Sequence, residues 1–120
     1  MSDIDSNNSS CIPLVCTADV QATKWLEKIQ NGIEEEGLFG DIHKVTLDTD
    51  FDEILWKACV TSRFSMAVGI KSNDVVLIIK NLGINKPVFH SSGSTLTLDS
   101  ARILGGNAAR YIKCKPFIQI

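Results

Sequence analysis

Apolar positions along the chain switch between strand-like and helix-like spacing, and each switch marks an element boundary. Leu14-Val15-Cys16 reads as a short strand, with Pro13 confined to its first position because proline has no N–H for a ladder. From about Val20 to Glu36, the residues Ala22, Trp25, Leu26, Ile29 and Ile33 make one helical stripe, and Gly37 supplies the expected C-cap. Ile42 to Leu47 predicts a second strand, with Ile42, Lys44 and Thr46 on one side and His43, Val45 and Leu47 on the other. A second helix is expected from Asp50, which has Glu53 three positions on in a capping-box arrangement. Its stripe is Phe51, Ile54, Leu55 and Ala58.

Met66 to Ile70 and Val75 to Ile79 are apolar strands flanking Lys71-Ser72-Asn73-Asp74, which predicts a hairpin. Pro87-Val88-Phe89-His90 reads as a fifth, shorter strand. The last helix is expected from about Leu98 to Lys113, with Leu98, Ala101, Leu104, Gly105, Ala108, Tyr111 and Ile112 on one face. The small residues Ala101, Gly105 and Ala108 on that face are expected to bring the helix backbone close to a sheet. Strands alternating with helices in this order favour a mainly parallel sheet with helices on both faces. The predicted fold is therefore α/β: three layers, α/β/α, with a five-stranded mixed sheet in the order 2-1-3-4-5 and strand 4 antiparallel.

With 120 residues the chain has room for one core, taken here as residues 11–120 after a flexible polar tail over 1–10. That N-terminal stretch lacks the basic start and apolar run of a signal peptide. No apolar run approaches the roughly 20 residues that cross a bilayer, so no membrane partner and a cytoplasmic location are expected. The formal net charge is −2 and no Lys/Arg cluster stands out, which argues against nucleic acid. The four cysteines, Cys11, Cys16, Cys59 and Cys114, form no C-x-x-C pair, and His43 and His90 stand alone. Small buried thiols are the expectation, not zinc or disulfides.

Open α/β sheets ordinarily bind ligands at the carboxyl ends of their strands. After the first strand the chain reads Thr17-Ala18-Asp19-Val20-Gln21, without the glycines of a dinucleotide or phosphate loop. Gly105-Gly106 falls inside a helical pattern, where close packing is the simpler explanation. Ser91-Ser92 beside His90 is the nearest approach to a nucleophile with a base, but neighbours along a strand point to opposite faces. Nothing in the sequence makes a case for catalysis.

Glu34-Glu35-Glu36 breaks a local rule, because acids at a helix C-terminus oppose the macrodipole at a cost of about 0.3–1 kcal/mol each. At 100° per residue, Glu36 falls beside the apolar stripe and Glu34 on one flank. Glu35 points away from the domain's own core, on the side of Lys24, Lys28 and Asn31. From these residues alone a solvated acidic helix end is the preferred reading, with a hard-cation ligand as the alternative.

Several segments together resemble the small subunit of diol and glycerol dehydratase reactivases, within the dehydratase medium subunit-like family. They are Gly32-Ile33-Glu34-Glu35-Glu36-Gly37, Trp56-Lys57-Ala58, Val68-Gly69-Ile70, Lys80-Asn81-Leu82 and Pro87-Val88-Phe89. Leu104-Gly105-Gly106-Asn107-Ala108-Ala109-Arg110-Tyr111-Ile112-Lys113 and Pro116-Phe117 complete the set, and the likeness runs from about residue 14 to the end. One loop departs: relatives often carry Ser-Ser-Pro-Leu where this chain has Ser62-Arg63-Phe64-Ser65.

The resemblance implies a non-catalytic subunit that assembles with a larger, actin-like ATPase subunit as a heterotetramer. Such complexes rescue dehydratases whose adenosylcobalamin is damaged, by exchanging a small subunit for the dehydratase medium subunit so that spent cobalamin escapes. ATP and ADP belong to the large subunit. The resemblance further implies that the middle glutamate of the run, Glu35 here, reaches a magnesium ion held mainly by that subunit. The implied partners are thus the reactivase large subunit and, during exchange, the dehydratase large subunit, with association to a bacterial microcompartment left open.

Two rival functions compete. The dehydratase medium subunit shares the C-terminal motif, but such chains are usually longer. An RNA-binding module like an anticodon-binding domain has a similar mixed sheet, against which the acidic balance and few aromatics count.

Overall fold

The computed structural model describes residues 11–46, 50–83, 85–92 and 95–118. The expected tail over 1–10 and Leu47, the expected end of the second strand, lie outside them. Five strands, β1 (Cys11–Thr17), β2 (Phe39–Val45), β3 (Met66–Lys71), β4 (Asp74–Ile79) and β5 (Phe89–Ser91), form one sheet in the order β2-β1-β3-β4-β5. β1 pairs in parallel with β2 and β3, while β4 pairs antiparallel with β3 and β5, so β4 is the reversed strand. Among the described residues three α-helices, α1 (Val20–Glu35), α2 (Phe51–Thr61) and α3 (Leu98–Ile112), cover the two faces. Fold class, strand order and strand directions are those the apolar pattern predicts.

The sheet separates two apolar clusters. On one face Trp25, Leu26, Ile29 and Ile33 of α1 and Ala101, Leu104 and Ala108 of α3 pack over Leu14, Val68, Ile70 and Leu77. On the other, Phe51, Leu55 and Cys59 of α2 pack over Val15, Ala67 and Ile78. Alternating strand residues thus serve opposite layers.

Three local expectations change. Pro13 lies inside β1, not at its start: β3 pairs with β1 only from Leu14 on, so the ring sits where the strand has a partner on one side alone. β2 begins at Phe39, earlier than its alternation shows, because it is an edge strand with few buried positions. The small residues of α3 approach a helix, not the sheet. A Cβ on Gly105 would lie 2.0 Å from the Ile29 carbonyl oxygen, and one on Gly32 would lie 1.8 Å from the Arg102 carbonyl oxygen. The backbones of α1 and α3 therefore touch, which only glycine permits. Because the crossing uses the middle of α3, its ends overhang: Leu98 and Tyr111, expected inward, are 43% and 44% exposed.

Candidate partner-docking site

The carboxyl end of β1, where this fold class ordinarily takes ligands, is filled by the chain itself. Asp19 is the N-cap of α1 and accepts from the Ala22 N–H at 3.2 Å. The buried Thr17 hydroxyl donates to Asp19 and accepts from the Ser72 N–H at 3.0 Å. The Trp25 indole donates to Asn73 at 3.2 Å, which pins the tip of the β3–β4 hairpin over the crevice. Ser72 there has φ 53°, the left-handed conformation that a two-residue hairpin tip requires. The Thr17 hydroxyl chiefly, with the Ala22 N–H and against partial burial, holds the Asp19 carboxyl below the ordinary carboxylate range.

The opposite end is built differently. α1 stops in a Schellman motif: Gly37 at φ 87° donates to Glu34 (3.0 Å), and the Leu38 N–H reaches Ile33 (3.2 Å). This stop throws the three glutamates into distinct roles. Glu36 is nearly enclosed, its side chain 14% exposed, and it takes Arg110 Nε at 3.1 Å and Lys115 Nζ at 3.8 Å. Lys113 donates to the Glu36 carbonyl. Cations from the end of α3 thereby offset the acids and the exposed carbonyls at the end of α1. Glu34 is exposed and, among the described residues, has no ion-pair partner.

Glu35 is 54% exposed and off the core, as its helical phase predicts. It does not stand clear of the domain, however. Arg102 of α3 donates through Nη1 to Glu35 Oε1 at 2.9 Å and through Nη2 to Asp99 Oδ1 at 3.0 Å. Those two bonds, Asp99 first, raise the guanidinium above its already high range. No sequence spacing within α1 announces this contact, because it depends on the glycine crossing that brings α3 alongside. The second Glu35 oxygen has no protein partner among the described residues. That leaves one hard, half-exposed oxygen. Since no group of three or more His, Cys, Asp or Glu among the described residues could hold a metal, Glu35 fits a divalent cation only as a single ligand.

Other candidates of the sequence do not assemble. His90 Nε2 meets Asp74 Oδ1 at 2.9 Å, and Ser92 donates to the same oxygen at 3.3 Å, all at the surface. Ser91 instead exchanges a hydrogen bond with Thr95 at 2.8 Å, and Ser92 shares Asp74 with His90 without a hydrogen bond to the imidazole, so neither hydroxyl is placed on the base. Cys16 and Cys59 are buried, and desolvation raises both thiols. Cys11 is half-buried, and Cys114 departs from the expectation of burial. It sits exposed at φ 58°, the left-handed position that ends α3. No helix among the described residues is long and apolar enough to cross a membrane.

One element went unread in the sequence. Asn107, a buried polar residue of α3, grips Ile118 in the C-terminal run with two bonds. Its amide donates to the Ile118 carbonyl at 2.8 Å, and its oxygen accepts the Ile118 N–H at 2.6 Å. The segment borders a groove of about 600 Å³ lined by Phe64, Tyr111, Ile112, Cys114, Lys115 and Phe117.

Comparison with known proteins follows the same lines. A chain of the diol dehydratase-reactivating factor complexed with ADP and Mg2+ superposes with a TM-score of 0.77 at 26% identity, covering 91% of this chain and 97% of that one. A chain of a glycerol dehydratase reactivase also gives 0.77, covering 90% and 96%, and at 18% identity it shows the fold alone. Among curated proteins a sequence search finds no match. The profile of the family described as dehydratase medium subunit matches residues 11–118, and the chain belongs to that family.

Proposed function

We propose that this chain is the small, non-catalytic subunit of a diol or glycerol dehydratase reactivase. The likeness to a chain of the diol dehydratase-reactivating factor, over nearly the full length of both, carries the reading. A plugged ligand crevice and the scattered Ser, His and Cys side chains support a docking role in place of chemistry. In this reading ATP and ADP bind a large partner subunit, two copies of each chain form the complex, and the work is done in the cytoplasm. The small subunit changes places with the dehydratase medium subunit so that damaged cobalamin leaves. Glu35 lends one oxygen to a magnesium ion that the large subunit holds with its own ligands.

A second reading, the dehydratase medium subunit itself, is favoured by the description of the matched family. The two predict different partners. Size-exclusion chromatography with the reactivase large subunit and, separately, the dehydratase large subunit is expected to give a stable complex with the former. A stable complex with the dehydratase chain alone, together with cobalamin binding, establishes the second reading instead. The isolated chain is expected to turn over no ATP, and turnover by pure protein contradicts the division of labour.

A further inference from the structure

We infer that Arg102 is a positioning residue for Glu35, gripping one carboxylate oxygen so that the other is turned toward a divalent cation brought by the partner subunit. The inference rests on the proposed role of Glu35 and adds the device that sets its geometry.

A free glutamate at a helix end samples several rotamers, and ordering it costs entropy at the moment of binding. Here the ordering is done beforehand. The Arg102 guanidinium spans two carboxylates, with Nη1 on Glu35 at 2.9 Å and Nη2 on Asp99 at 3.0 Å. Asp99 lies one turn earlier on α3, where an i, i+3 pair meets naturally. With both ends of its fork held, the planar group cannot swing without breaking a bond. Its backbone is fixed as well, since Gly32 packs against the Arg102 carbonyl one turn before Glu35. Charge does not defeat the arrangement. Two acids against one guanidinium leave the corner at −1, with the exposed Glu34 close by in sequence. Metal-bound carboxylates are ordinarily held through their second oxygen in this manner, and losing the outer partner typically weakens metal binding ~10–100-fold.

The test titrates MgCl2 into this chain plus the reactivase large subunit and reads assembly by light scattering. Variants are Glu35→Gln, Arg102→Ala, Arg102→Lys, Asp99→Asn and the Glu35→Gln/Arg102→Ala pair, with urea midpoints measured on each isolated chain. Glu35→Gln is expected to remove the magnesium dependence. Arg102→Ala should raise the magnesium midpoint ~10–100-fold with the urea midpoint unchanged. Lysine, which has no fork, restores only part of the loss, and Asp99→Asn gives a smaller shift of the same sign. In the double variant Arg102→Ala adds nothing. A wild-type magnesium midpoint in Arg102→Ala, alongside an altered Glu35→Gln, overturns the inference and leaves the proposed function standing. Magnesium-independent assembly of the unaltered chain removes the role of Glu35 and this inference together. Failure of the unaltered chain to assemble at any magnesium concentration removes the proposed function too.

Discussion

The two ends of the sheet are made from similar residue types put to opposite uses. At the carboxyl end of β1, an acid and a hydroxyl bond the chain to itself: Asp19 caps α1, Thr17 is buried, and the hairpin tip is tied to Thr17. At the far end of α1, an acid faces outward, steadied by one arginine and keeping an oxygen in solvent. The end that usually binds small molecules in this fold class has been given to stability. The other is the end we propose for a partner.

That contrast can be broken in order of decreasing effect on stability. Gly105→Val is expected to cost most, about 3 kcal/mol or more, because the new side chain meets the Ile29 backbone, which has no rotamer to yield. Separating α1 from α3 also withdraws Arg102 from Glu35, so thermal denaturation and assembly should fail together. Thr17→Val keeps the volume but strips the part-buried Ser72 N–H of its acceptor and Asp19 of a donor. A loss of about 1–3 kcal/mol in urea denaturation is expected, with assembly of the folded fraction unchanged.

Asp19→Asn is milder, because asparagine also caps, and the loss at neutral pH should stay below about 1 kcal/mol. Its signature is the pH dependence. The Asp19 carboxyl is depressed in the folded chain, so its stabilisation is fully present above the unfolded value of about 3.9 and is lost as pH falls through the lower folded value. Urea midpoints of wild type and Asp19→Asn should therefore converge below about pH 4. Glu35→Gln comes last: its urea midpoint should match wild type, while assembly with the large subunit weakens roughly tenfold or more. Glu35→Gln destabilising as much as Thr17→Val erases the distinction between the two ends.

The alternation of strands with helices was enough for the parallel part of the sheet, and the hairpin accounts for the reversed strand. It failed where the determinant is a partner distant in sequence. Pro13 is tolerated only because of where β3 begins to pair, and no feature of its own segment shows that. Gly105 advertises a close approach, but whether to a sheet or a helix depends on Gly32, 73 positions earlier. The exposure of Glu35 follows from helical phase alone, whereas its bond to Arg102 requires the crossing of two helices. Asn107 is the instructive omission: a polar residue inside a run of small and apolar ones signals a buried hydrogen-bonding job, here the grip on Ile118.

The most direct test of a docking role is native mass spectrometry of the purified chain mixed with each large subunit. A discrete complex of two copies of this chain with two reactivase large subunits is the expected mass. Spectra showing only free chains, or a complex confined to the dehydratase large subunit, contradict it.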